Sequence, residues 1–159
     1  MMKEGKYMDI KNKRYVILEL IPTSSDPKKG DIAQISALKI NKMTLEDRFD
    51  YRLDKSKINI PDILKMLDYD NDSFKYVKTT KTIMKKFKDF SEDLPLLIID
   101  NSYTRKYLDR MKNEKVSIFK LMNLEVTDDV FEKLISKYNL QPSSYLVDLM
   151  YEALVMELG

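Results

Sequence analysis

Two absences limit the chemistry open to this chain: its 159 residues include neither histidine nor cysteine. Without imidazole there is no serine triad of the usual kind and no histidine metal ligand. Without thiol there is no disulfide framework, thiolate nucleophile or sulfur-ligated zinc. Carboxylates, lysine, arginine, tyrosine and the backbone remain. Glu19 lies in the apolar run Tyr15–Leu20, Asp100 follows the apolar run Leu94–Ile99, and Asp148 edges an apolar stripe between Tyr145 and Glu152. Each has an ordinary reading: a hydrogen-bonded carboxylate in a strand, a cap for a helix starting near Ser102, and a surface residue. Arg105 likewise has Asp109 one helical turn away on a solvated face. Lys75, Lys78, Lys81, Lys85, Lys86 and Lys88 crowd one region behind Tyr69, Phe74 and Tyr76. Such interleaving suits phosphate contact and base stacking along a single strand, with Tyr76, Lys78, Lys81 and Lys85 as the contact residues. The plainer reading is the solvated face of a helix whose other face carries Ile83, Met84 and Phe87.

The elements that must position these groups follow from periodicity. Tyr15–Leu20 is apolar enough for a buried strand, and further strands are predicted over Ile32–Ile40 and Leu45–Leu53, joined by the short Asn41–Thr44 connection. Pro61 opens a short helix over Asp62–Leu67, and Thr79 or Thr80 caps a helix striped by Ile83, Met84, Phe87 and Phe90. Leu94–Ile99 reads as a central strand and Val116–Phe119 as a short edge strand. Helices are predicted over Ser102–Met111, Asp128–Tyr138 and Ser144–Leu158. This order predicts an α/β fold whose mixed central sheet has about five strands, an antiparallel meander followed by parallel crossovers, with helices on both faces. Residues 1–13 read as a polar leader and 14–159 as one domain.

Composition narrows the class. Hydrophobic residues make up 43%, with only 3 Gly and 5 Pro, which excludes low-complexity and collagen-like sequence. Basic residues number 28 against 26 acidic, so the net charge of +2 excludes a histone-like electrostatic binder while leaving room for local basic faces. The charged start lacks the apolar stretch of a signal peptide, and no run approaches the ~20 apolar residues of a membrane helix, so a cytoplasmic protein with no membrane partner is expected.

This order and three stretches resemble the DnaQ-like 3′–5′ exonucleases, the family of the DNA polymerase III epsilon subunit and ribonuclease T. The clearest stretch runs from Tyr15 to Ile40 through the turn Asp26–Asp31; Leu96–Asn101 and the final helix follow at matching spacings. The resemblance implies a ribonuclease H-like fold. In active members four carboxylates hold two Mg²⁺ or Mn²⁺ ions, and a His or Tyr on the last helix activates water. Aligned this way, the first-strand Asp-x-Glu falls on Glu19 and Ile21. The second motif's aspartate falls on Arg105, and the last-helix His-x-x-x-x-Asp falls on Ser143 and Asp148. Tyr145 lies three residues before Asp148, where the family's tyrosine variant places it four before. Two divalent ions bring four positive charges; Glu19 and Asp148 return two negative charges, and Arg105 adds a positive one that no usable pH removes.

The resemblance therefore implies a degenerate, catalytically inactive exonuclease fold with no resident cofactor. It would bind nucleic acid, a single-stranded end foremost, or a replication or repair protein. In the alternative reading, an active exonuclease uses a rearranged site of Glu19, Asp100 and Asp148 with Mg²⁺ or Mn²⁺. A pure protein-interaction domain, for example a homodimer, is the third. If the first holds, the fork of Arg105 should bridge to Glu19 or Asp148 across the former metal site.

Overall fold

The computed structural model describes residues 8–24, 28, 30–58, 60–67, 73–99, 104–125, 127, 129–141 and 146–158. The chain opens with a 3-10 helix, Met8–Asn12, whose Ile10 is buried. The domain thus takes up part of the stretch read as a polar leader. Strands β1 (Arg14–Pro22), β2 (Ile32–Asn41) and β3 (Thr44–Leu53) form the antiparallel meander. The β2–β3 turn places Lys42 and Met43 at φ 50 and 68 degrees. This left-handed pair matches strand twist in two-residue hairpins. The Tyr151 hydroxyl donates to the Met43 carbonyl oxygen at 2.7 Å and ties this turn to the last helix.

A short helix α1 (Pro61–Met66) leads to β4 (Lys75–Val77), which pairs parallel to β3. Helix α2 (Thr80–Ser91) follows. Thr79 caps it, accepting from the Thr82 amide at 3.1 Å. Thr80 instead accepts from the Ile32 amide at 2.9 Å and fastens the helix start to β2. Strands β5 (Leu96–Ile98) and β6 (Lys115–Ser117) are joined through α3 (Thr104–Tyr107), and then come α4 (Ile118–Leu121), α5 (Val130–Tyr138) and α6 (Leu146–Leu158). The result is an α/β fold with a mixed sheet in the order β4-β3-β2-β1-β5-β6, in which β5 lies parallel to β1 and β6 parallel to β5.

Three local expectations change. Among the described residues the sheet has six strands; the additional one, three-residue β4, is too short to show a period in the sequence. The helix expected over Ser102–Met111 is described only over Thr104–Tyr107. The Leu108 amide there is shared between the carbonyl oxygens of Thr104 and Arg105, at 3.3 and 3.1 Å, which tightens the final turn. The expected edge strand begins at Lys115, and Ile118 is already helical.

Strand alternation sorts side chains between two cores. Val16, Leu18 and Leu20 of β1 join Ile35, Ala37 and Phe49 beneath Ile83 and Phe87 of α2. Tyr15 and Ile17 join Leu38 and Ile40 beneath Met150 and Leu154 of α6 and Leu134 of α5. Glu19 therefore falls on the α6 face. Among the described residues, no helix is long and apolar enough to cross a membrane.

Candidate functional site

On the α6 face the strand register lays out three rows. Ile17, Leu38 and Arg48 form the first, Glu19, Ser36 and Asp50 the second, and Ile21, Gln34 and Arg52 the third. Two of these rows are polar in a sheet otherwise packed with aliphatic groups. Ser36 is fully buried, and Gln34 and Arg52 are buried with it. Burial without bonding is costly for such groups, and the structure answers with a chain of hydrogen bonds. Arg52 Nε donates to Gln34 Oε1 at 2.7 Å, and Gln34 Nε2 donates to Ser36 Oγ at 3.2 Å. The Arg52 guanidinium also lies over the Phe74 ring, 3.8 Å from its centroid. A cation so placed is attracted by the negative face of the ring.

Asp148, at the start of α6, meets this face through Arg48. Arg48 Nη1 donates to Asp148 Oδ1 at 2.9 Å and Nη2 to Oδ2 at 3.1 Å, a two-toothed fork. Arg48 Nε donates to Asp50 Oδ2 at 3.0 Å, so one guanidinium ties β3 to α6. The remaining oxygen of Asp50, Oδ1, is buried and has no hydrogen-bond partner among the described residues. Glu19 is partly buried on β1, two strands from Asp50 across Ser36, and burial pushes its carboxyl up to about 7.

The expectation for Arg105 is not met. Its Nη1 donates to the Lys115 carbonyl oxygen at 3.3 Å, at the start of β6, and the guanidinium on Asp148 is Arg48's. The short helix α3 points Arg105 along the β5–β6 crossover, whereas Arg48 reaches Asp148 from β3, at the flank of the β1–β2 surface on which α6 packs. Ile21 is partly buried against Ala33, Leu53, Ile58 and Leu67, and so supplies packing where the family motif has a carboxylate. Asp100, Ser143 and Tyr145 lie outside the described residues. Arg48, Asp50, Arg52 and Gln34 are not singled out in the sequence reading. The signal for three of them is Arg48-x-Asp50-x-Arg52, a charged i, i+2, i+4 series that lines one face of a strand.

A pair of divalent cations does not fit these side chains. Both oxygens of Asp148 face a permanently charged guanidinium, and Ile21 offers no oxygen. No metal-binding group of three acidic side chains occurs among the described residues. What the arrangement does offer is a neutralised polar layer that locks the last helix to the sheet, with Glu19 able to hold a proton near neutrality.

The basic region divides between faces. Tyr76 pairs in register with Arg52 and is 40% exposed, while Lys75 pairs with Tyr51, which packs on the α2 side. Lys81 and Lys85 stand on the exposed side of α2, where they line one open groove with Thr82, Lys86 and Asp89. Lys78 is exposed just before the Thr79 cap. Of the four residues named for nucleic-acid contact, Lys81 and Lys85 share the outer side of α2, and Tyr76 pairs in register with Arg52 on the other side of the sheet. No protein-family model and no curated protein matches this sequence.

Proposed function

We propose that this chain is a DnaQ-like exonuclease fold of the ribonuclease H-like type, in which a guanidinium–carboxylate network replaces the metal site. It acts by binding nucleic acid, or a replication or repair partner, and not by cleaving. The antiparallel meander followed by parallel β5 and β6, with Glu19 and Asp148 facing the same layer, supports the family reading. The observation that carries the loss of hydrolysis is the fork from Arg48 onto both oxygens of Asp148. A carboxylate so occupied does not coordinate a cation unless it first gives up a charge-assisted pair, and the arriving ion must then meet a fixed positive charge.

The test is digestion of end-labelled single-stranded DNA and RNA with Mg²⁺ or Mn²⁺. Full-length oligonucleotide is expected to persist. Shortening that disappears in Asp148→Ala would overturn the reading in favour of an active exonuclease with a rearranged site.

A further inference from the structure

The α6 face accounts for Glu19, Asp148 and their neighbours but leaves a group of six lysines unused. Lys75, Lys78, Lys81, Lys85, Lys86 and Lys88 are all exposed. Among the described residues none of these six is in an ion pair, whereas Arg14, Lys39, Lys133 and Lys137 all pair with carboxylates. The chain as a whole carries only +2, so this charge is a local concentration and not an overall excess.

Its arrangement is ordered. Lys81, Lys85 and Lys88 recur at i, i+4 and i+7, a stripe along the outer side of α2. Helical rise sets such neighbours about 4.5 to 6 Å apart along the axis. Lys75 and Lys86 close on the Tyr51 ring, with Nζ atoms 5.7 and 5.6 Å from its centroid. Tyr51 itself is only partly buried against Phe49, so its ring borders the stripe. A line of unpaired ammonium groups beside an accessible aromatic ring is complementary to a flexible polyanion that carries flat bases.

We propose that the outer side of α2, with Lys75 and Tyr51 at its border, is the surface on which this chain holds single-stranded nucleic acid by its phosphate backbone. The inference rests on the binding reading above and relocates the contact: α2 covers the opposite side of the sheet from α6, so the strand lies away from the Glu19–Asp148 layer. Asp89 is the acid within the groove, and it sets a limit on how closely phosphates approach there.

The experiment is fluorescence anisotropy of a labelled oligothymidine over a range of salt, with the full chain, the triple variant K81E/K85E/K86E and the charge-matched variant K106E/K112E/K120E. Glutamate is a good helix former and all six positions are exposed, so both variants should fold, as circular dichroism will verify. The α2 variant should bind at least about tenfold more weakly, and its log affinity should fall with log salt less steeply by about 2, three lost contacts at ~0.7 each. The second variant should stay within about threefold of the parent.

Equal losses in both variants, an unchanged α2 variant, or no binding by the parent would each overturn this interface. So would competition by polyglutamate as effective as by oligothymidine, which would assign the surface to an acidic protein. Strand shortening in the same samples would overturn only the non-hydrolytic reading, absent binding by the parent would overturn the nucleic-acid reading together with the interface, and equal losses or an unchanged α2 variant would overturn the interface alone.

Discussion

Replacing Glu19 by glutamine should change how stability depends on pH. The carboxyl is carried up from 4.5 to about 7 by burial on the α6 face of β1. Below about 4.5 both folded and unfolded chains hold the proton, and above about 7 both have lost it. Between these values the folded chain binds more protons, so this residue's contribution makes stability fall as pH rises, by at most ~1.4 kcal/mol per pH unit. Across the window the loss comes to ~3 kcal/mol, less whatever the residue's remaining solvent contact returns. Among the described residues the charges on this face include Asp50, Arg48, Arg52 and Asp148, and Arg48 donates to both aspartates.

Glutamine keeps the shape and stays neutral, so Glu19→Gln should match the parent near pH 4.5 and exceed it by ~2–3 kcal/mol at pH 8. Urea unfolding followed by circular dichroism at pH 4.5, 6 and 8 measures the difference, and other titrating groups cancel between parent and variant. Parallel pH profiles for the two proteins would refute the reasoning, because Glu19 would then titrate as it does in the unfolded chain.

Arg48→Met should cost about 2 kcal/mol in urea unfolding, between the values for exposed and buried pairs. It strands Asp50 and Asp148, while the Arg48 side chain is itself 38% exposed. Lys42→Asn should raise the melting temperature through a gain of about 0.5 kcal/mol, as asparagine tolerates the left-handed conformation better than lysine. That position has positive φ in the β2–β3 turn. Thr79→Ala should cost about 1 kcal/mol of thermal stability by removing the cap on α2.

The elements that the sequence announces are those buried on both faces or striped on one. β1 reads as a near-continuous apolar run because α2 and α6 cover both sides of the sheet, and the apolar residues of α2, α5 and α6 recur at helical spacing. β4 is not legible: with three residues, two of them exposed, no period can be seen, and it forms because β3 offers it a free edge. Glu19 and Asp148 are legible through the family resemblance, yet their partner is not. Position along the chain points to Arg105, which occupies a motif position, but the cation that meets Asp148 is Arg48, 100 residues away in sequence on β3. Arg48, Asp50 and Arg52 carry no sequence signal of their tertiary partners, which are Asp148 for Arg48 and Gln34 and Phe74 for Arg52. The lysines present the reverse case. Their crowding is plain in the sequence, but the separation of Tyr76 from Lys81 and Lys85 depends on the alternation of β4.

The central claim is that Arg48 stands where a divalent ion would otherwise neutralise Asp148. The most direct measurement is electron paramagnetic resonance of free Mn²⁺ titrated into the protein. The account predicts that the free-ion signal rises as in buffer up to millimolar Mn²⁺, for the parent and for Asp148→Asn alike. Stoichiometric loss of the free-ion signal in the parent, restored by Asp148→Asn, would contradict it.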